Sequence, residues 1–317
     1  MKKLTHYCKL LPFLALIFFG VSACKKAAPK TEVPQQEQQQ QQAAVVEKTW
    51  LYAAVAPEDI KVKMYVRFMD SLAKAYDSLV PYDLTHHIIA RHNTWLIDSL
   101  ENTDFYYRNE RGQFVYDQKE LLVVKKGDTL YMPTDTVAKA LIAKQAQTRI
   151  DINIPEFKLR IIEGTDTPYT LPIRVGQNKA AYWTVNDAVM NMKTRIGKGK
   201  IVDVYFKKGS IDPQTGKDMI DTKRDDGKKT LMPLSPWIEP EVNGERFGQL
   251  IHPTTNLATL GKAYSNGCIG TREGDIWLVY YYAPVGTPVT LRYDLMVKDS
   301  LGNPLQLKDV YKKPKGK

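Results

Sequence analysis

Two different patterns of apolar residues divide the chain near residue 149. Before it, apolar residues recur every three or four positions over residues 58–80 and 85–100, which predicts two helices separated at Pro81. After it, polar and apolar residues alternate over residues 149–154 and 157–162, and this period of two predicts half-buried strands. The change of period indicates an α+β region followed by a mainly β domain.

Shorter elements complete the secondary-structure prediction. In the front region, short strands separated by turn signals are expected over residues 105–107, 114–116, 121–124 and 129–132. A helix is expected over residues 135–147, with Thr134 or Asp135 as its N-terminal cap. Behind residue 149, further strands are expected over residues 171–176, 201–206 and 288–292, and a buried helix or turn over residues 277–282.

The length of the chain suits a catalytic domain together with an accessory one. The expected divisions are a signal peptide at 1–23, a lipidated cysteine and tether at 24–48, an α+β accessory region at 49–148, the catalytic domain at 149–295 and a basic tail at 296–317. Within the tail, residues 308–317 are expected to be loose.

The first 23 residues have the features of an export signal. Lys2 and Lys3 precede an apolar run over residues 10–19, which is short for a membrane span of about 20 residues. Small residues then lead to Cys24, a pattern that resembles the lipobox of bacterial lipoproteins, in which the cysteine carries the lipid. The glutamine-rich residues 25–48 are expected to remain disordered and to act as a tether.

Three histidines and one polar segment need separate interpretations. His86, His87 and His92 lie on a predicted helix, but their spacings do not stack on one face, so a solvated surface is expected instead of a zinc site. Residues 209–232 are polar and contain glycine, which predicts one or two surface loops. Such loops either flank or cover a cleft or are a plain solvated excursion.

The candidate chemistry lies between residues 252 and 268. Cys268 is the only cysteine after residue 24, and His252 is the only histidine after residue 92. A thiol becomes an efficient nucleophile when an imidazole takes its proton, and Gly267 permits a tight turn whose N–H groups, with that of Cys268, could bind an oxyanion. The spacing alone leaves open the alternative of a structural cysteine and an ordinary loop histidine.

The wider pattern resembles the catalytic domain of the L,D-transpeptidase (YkuD) family. The matching parts are His252, a glycine turn at Gly261, Ser265-x-Gly267-Cys268-Ile269, Asp275 and the segment 285–289. The strand over residues 150–156 and the Val-Gly pair at 175–176 resemble the start of that domain. The resemblance covers about residues 149–292 and implies a YkuD-like β-sandwich with short helices.

This sequence departs from the family pattern at three positions. Pro253 stands where the family has glycine, Asn266 where it has histidine and Gly270 where it has arginine. The last change removes a guanidinium that could anchor a carboxylate, and Arg272 is expected to take its place. Differences in substrate preference are the expected result.

The resemblance implies that Cys268 attacks the third residue of a peptidoglycan stem peptide, with His252 as general base, and that an incoming amine completes a 3-3 crosslink. It gives Gly267 and Ser265 oxyanion or turn roles and substrate contacts to Tyr264, Asn266 and Arg272. The alternatives are an L,D-carboxypeptidase, a hydrolase of crosslinks or anchors through the same thioester, and a non-catalytic wall-binding lipoprotein.

Charge and composition bear on partners. The net charge of +10 suits anionic lipids and cell-wall carboxylates, whereas export and the lack of a basic-aromatic motif argue against nucleic acid. We expect a lipid-anchored protein of the cell envelope, on the periplasmic side, that acts in cell-wall biogenesis and cell shape. No metal or organic cofactor is implied.

Overall fold

The computed structural model describes residues 48–206, 210–212 and 215–312. The predicted signal, Cys24 and residues 25–47 of the tether lie outside the described residues. The residues from Glu47 onward form one compact unit. In the part of the chain that is described, no helix combines the length and apolar character needed to cross a membrane.

Six α-helices lie in the described residues, and five of them belong to the front region. They are α1 (Val62–Asp77), α2 (His86–His92), α3 (Trp95–Glu101), α4 (Phe105–Glu110), α5 (Asp135–Ala146) and α6 (Asp275–Tyr282). Thr134 caps α5, since its hydroxyl accepts a hydrogen bond from the backbone N–H of Val137, as the sequence predicts.

The front region differs from the prediction at three places. The expected helix over residues 85–100 is split into α2 and α3 because the Asn93 amide bonds the carbonyl of Ile89 and both backbone groups of Tyr131. The strand predicted at 105–107 is wrong, since Asp104 accepts hydrogen bonds from the first N–H groups of α4 and so starts a helix. The segment 114–116 is also not a strand.

Strands dominate the rest of the chain. They are β1 (Trp50–Val55), β2 (Ile60–Lys61), β3 (Leu122–Val124), β4 (Thr129–Pro133), β5 (Thr148–Asn153), β6 (Lys158–Glu163), β7 (Asp166–Pro172), β8 (Val175–Gly176), β9 (Ala180–Trp183), β10 (Ala188–Asn191), β11 (Gly197–Phe206), β12 (Ser210–Ile211), β13 (Asp218–Met219), β14 (Asp221–Lys223), β15 (Lys229–Leu231), β16 (Pro236–Pro240), β17 (Ile251–Pro253), β18 (Ala263–Ser265), β19 (Ile269–Thr271), β20 (Pro288–Arg292), β21 (Met296–Lys298) and β22 (Pro304–Gln306). The expectation of a mainly β domain behind an α+β region is confirmed.

One sheet carries the domain, in the order β19-β17-β16-β11-β20-β5-β6-β7. Its long strand β11 pairs with β20 through residues 197–200 and with β16 through residues 201–206, so β11 joins the two halves of the sheet. The half that ends with β17 and β19 contains the candidate catalytic residues.

Helix α6 packs between the sheet and the front helices. Seven of its eight residues are buried, and the ring of Trp277 meets that of Tyr65 in α1 edge to face. The hydroxyl of Tyr281 also donates to the hydroxyl of Tyr65 at 2.8 Å. The predicted buried helix over residues 277–282 is therefore confirmed within α6, and it also contacts the front region.

His86 and His87 of α2 contact α6 instead of solvent alone, so the prediction of a solvated surface is wrong for these two histidines. His86 Nε2 lies 2.7 Å from the hydroxyl of Tyr280, and the ring of His87 lies 4.9 Å from that of the same tyrosine and 5.6 Å from that of Tyr281. Burial, together with the nearby His86, lowers the pKa of His87 to about 3. The sequence could not show this because α6 lies almost 200 residues away.

A buried polar network joins the front region to the β domain. Arg224, between β14 and β15, donates to Glu273 in a fully buried ion pair and to the side chain of Gln118 at 2.9 Å. Glu273 also accepts hydrogen bonds from Gln118 Nε2 at 2.7 Å and from the backbone N–H of Phe105 at 3.1 Å. The network fixes the residues just before α6.

The C-terminal segment is more ordered than the sequence suggests. β21 and β22 form a hairpin, and the ring of Tyr311 stacks on that of Tyr293. The hydroxyl of Tyr311 donates to the carbonyl of Gly176 at 2.9 Å. The expectation that residues from 308 onward are loose is therefore wrong for 308–312, and residues 313–317 lie outside the described part.

Removing Glu273 should destabilise the fold strongly. Glu273→Ala leaves the Arg224 guanidinium buried without its carboxylate, and we expect a loss of about 3–5 kcal/mol in the free energy of unfolding. Denaturant titration of a soluble form starting at Val46 measures it. Glu120→Ala is the matched control, because that carboxylate pairs with Lys61 and Lys63 on the surface and should change little. Equal losses in the two variants would contradict a structural role for the network.

His87 should make the fold sensitive to acid. Between about pH 6.5 and pH 3 the unfolded chain protonates this imidazole while the folded chain does not, so the unfolded state binds more protons. The contribution of His87 to the free energy of unfolding is full above pH 6.5 and decreases as the pH falls towards 3. In thermal melts between pH 7 and pH 4, the melting temperature of His87→Gln should fall less steeply with decreasing pH than that of the wild type. Parallel curves would contradict the assignment.

Candidate active site

Cys268 and His252 are brought together by neighbouring parallel strands. β17 pairs with β19 in the register Ile251 to Ile269 and His252 to Gly270. Cys268 directly precedes β19, so the thiol and the imidazole lie at the same edge of the strand pair. Both side chains line one cavity of about 690 Å³.

The imidazole of His252 is held in a defined orientation. Its Nδ1 lies 2.9 Å from the carbonyl oxygen of Pro253, and its ring stacks on the indole of Trp237 with 4.2 Å between ring centres and 9° between planes. Because a carbonyl only accepts hydrogen bonds, Nδ1 carries the proton and Nε2 is the proton acceptor. This tautomer is the one that a general base needs.

The turn before Cys268 is fixed by hydrogen bonds to its backbone. The Ser265 hydroxyl donates to the carbonyl of Cys268 at 2.5 Å and accepts from the N–H of Gly267 at 3.2 Å. Thr194 donates to the carbonyl of Gly267 at 2.9 Å. Gly267 has φ = +115°, and a Cβ there would lie 2.7 Å from the side chain of Gln249, so only glycine fits.

The residues of this turn make different contacts in the structure. The N–H of Gly267 donates to the hydroxyl of Ser265, so in this structure it takes part in the turn, and its expected oxyanion role stays a prediction. Ser265 stabilises the turn while also lining the cavity. Asn266 lines the cavity too, and its side-chain oxygen accepts from Gln177 at 3.3 Å. The thiol of Cys268, half-buried, lies 3.9 Å from the carbonyl of Gly248.

Two of the expected substrate contacts lie outside the cavity. The guanidinium of Arg272 stacks over the ring of Tyr107 at 4.0 Å and lies 3.8 Å from Asp104, so it contacts the front region. Tyr264 is 55% exposed and does not line the cavity. The expected replacement of a guanidinium at position 270 by Arg272 is therefore corrected, since the guanidinium that contacts Gly270 is that of Arg174.

Several cavity residues come from segments in which no sequence pattern pointed to a site. Trp183 comes from β9, Trp237 from β16, and Arg174 from the link between β7 and β8. In the described part of the segment 209–232, β12 pairs with β13 and β14 with β15, so the prediction of loops alone is wrong there. Ile211, Met219, Thr222 and Lys223 line the cavity, which confirms that the segment flanks the cleft.

The arrangement suits nucleophilic acyl transfer. A thiol and an oriented imidazole face a cavity that is partly apolar and large enough for a peptide segment. Among the described residues, no group of three or more His, Cys, Asp or Glu side chains could hold a metal ion.

The chain is similar to several known proteins. The chain is 28% identical over 174 residues to the YkuD protein of Bacillus subtilis (strain 168), which corresponds to 53% of this chain and 96% of that protein. It also resembles the solved L,D-transpeptidase of Mycobacterium smegmatis, with 13% identity, a TM-score of 0.30, and coverage of 46% of this chain and 58% of that chain. The solved L,D-transpeptidase of Xylanimonas cellulosilytica has 12% identity, a TM-score of 0.34, and coverage of 76% of this chain and 100% of that chain.

The TM-scores of the two solved structures are too low to bear on the function. The sequence match is more specific, since residues 147–291 fit the family model of YkuD, the L,D-transpeptidase catalytic domain. The segment includes the Cys268–His252 pair and every strand of the large sheet except part of β20. By this match, residues 147–291 are similar to the L,D-transpeptidase catalytic domain of the YkuD family.

Proposed function

We propose that this protein is a peptidoglycan L,D-transpeptidase that forms 3-3 crosslinks between stem peptides through a thioester on Cys268. The observation that supports it most directly is the β17–β19 pairing, which places an oriented His252 and Cys268 at one cavity within the family domain. The donor is a tetrapeptide stem with a terminal D-alanine.

In the first half-reaction, His252 Nε2 takes the thiol proton and the sulfur attacks the carbonyl carbon of the third stem residue. The C–S bond forms, the C–N bond to D-alanine breaks, and the protonated imidazole gives its proton to the departing amine. The Nδ1–H bond to the carbonyl of Pro253 keeps the ring in place through both transfers.

In the second half-reaction, the amine of another stem attacks the thioester. His252 takes a proton from that amine and returns one to the sulfur, so the new amide forms and the free thiol is regenerated. Water in place of the amine would give a tripeptide product and L,D-carboxypeptidase activity.

The predicted location follows from the N-terminal sequence. We propose that Cys24 carries a lipid and that the glutamine-rich tether lets the domain reach the wall from a membrane of the cell envelope, on the periplasmic side.

Activity should depend on both catalytic residues. Cys268→Ala removes the nucleophile and should abolish turnover of purified tetrapeptide muropeptides, read by mass spectrometry. His252→Ala should lower the rate by about two to four orders of magnitude. His92→Ala is the control, because that imidazole lies on α2 away from the cavity, and its rate should equal that of the wild type.

The products decide between the related activities. Crosslinked dimers that require Cys268 are the expected result. Tripeptides without dimers would mean that the protein is an L,D-carboxypeptidase and not a transpeptidase. Unchanged tetrapeptides would contradict both, and crosslinked sacculi would then test hydrolysis through the same thioester. Turnover that survives Cys268→Ala would overturn the mechanism.

A further inference from the structure

Arg174 is a partly exposed cation in the cavity wall that forms no ion pair with a described carboxylate. It lines the same cavity as Cys268. Its Nη1 donates to the hydroxyl of Thr259 at 3.2 Å, while its buried Nε has no hydrogen-bond partner in the structure. The guanidinium therefore has a donor left for a charge-assisted hydrogen bond to an anion in the cavity.

The charge of the cavity wall also favours an anion. Its described lining includes Arg174 and Lys223 and contains no Asp or Glu. Burial lowers the pKa of Arg174, and the negative charges of Cys268, Tyr264 and Asp225 oppose this effect. Arg174 and Cys268 line the same cavity.

The backbone fixes this arginine beside the nucleophile. The N–H of Arg174 donates to the carbonyl of Gly270 at 2.8 Å, and the N–H of Gly270 donates back at 3.0 Å. A Cβ on Gly270 would lie 2.6 Å from Arg174 Nε and 2.7 Å from its Cγ. The arginine side chain therefore crosses the space above Gly270, two residues after Cys268, and it needs glycine there.

We propose that Arg174 binds the free carboxylate of the carboxy-terminal residue that Cys268 removes from the donor peptide. This inference rests on the proposed function, because it identifies which peptides the same site accepts. In a peptide the terminal carboxylate carbon lies about 3–4 Å from the carbonyl carbon under attack, so a group beside the sulfur can reach it. Arg174 is then a specificity-determining residue that favours terminal bonds over internal ones.

Two alkylating probes test this without any peptidoglycan. Iodoacetate carries a carboxylate and iodoacetamide a neutral amide, and both place a carbon on the Cys268 sulfur with loss of iodide. We expect Arg174→Gln to lower the ratio of the iodoacetate rate to the iodoacetamide rate by about tenfold or more, since a charge-assisted hydrogen bond is lost. Arg174→Lys keeps the charge and should retain most of the ratio.

Equal slowing of both probes in Arg174→Gln would overturn the proposal, because it would mean that Arg174 only stabilises the thiolate. An unchanged ratio would overturn it as well. Thermal melts of each variant show whether it is folded. Since neither probe resembles a stem peptide, loss of the rate ratio and failure to turn over muropeptides are separate results.

A positional exchange provides a second, independent readout. In the double variant Arg174→Ala/Gly270→Arg, the first substitution removes the side chain that lies over residue 270. The second substitution places a guanidinium in the same space from β19. We expect the double variant to recover the preference for iodoacetate that Arg174→Ala loses. Gly270→Arg alone should unfold at a lower temperature, because its Cβ meets the Arg174 side chain. If the double variant has the same ratio of iodoacetate rate to iodoacetamide rate as Arg174→Ala, that result would count against a carboxylate site at this position.

Discussion

The proposed active site depends on the parallel pairing of two three-residue strands, β17 and β19. This pairing brings His252 and Cys268 to one edge of the sheet, although 15 residues of chain separate them. Short parallel strands are weak by themselves, so their register must be held by what packs around them. Ile251 and Ile269, which face each other in the pair, are both fully buried.

The front region helps to hold β17 and β19 in place through its contacts with α6. Helix α6 packs against the sheet and also contacts α2 and α3, and the network of Arg224, Glu273 and Gln118 fixes the chain where α6 begins. Arg272, which follows β19 directly, is held by the ring of Tyr107. The α+β region thus anchors the chain that follows Cys268 and β19.

The sequence predicted those features that depend on local pattern. The alternation of polar and apolar residues predicted β5 and β6, and a strand was also expected at β20. Cys268 and His252 were identified as catalytic candidates because no other cysteine or histidine lies in the last two thirds of the chain. Prediction from the sequence failed where a distant contact decides the local structure, as at Asn93, whose amide bonds Tyr131 and ends α2. Arg174 could not be recognised, since its position over Gly270 follows from a bridge between segments 96 residues apart.

The central claim is that His252 activates Cys268 in the resting protein. The rate of alkylation by iodoacetamide as a function of pH measures it directly, because only the thiolate reacts. In the wild type the rate should reach half of its maximum well below the ordinary thiol pKa of about 8.5, and in His252→Ala the midpoint should return towards that value. Coincident profiles in the two proteins would contradict the account.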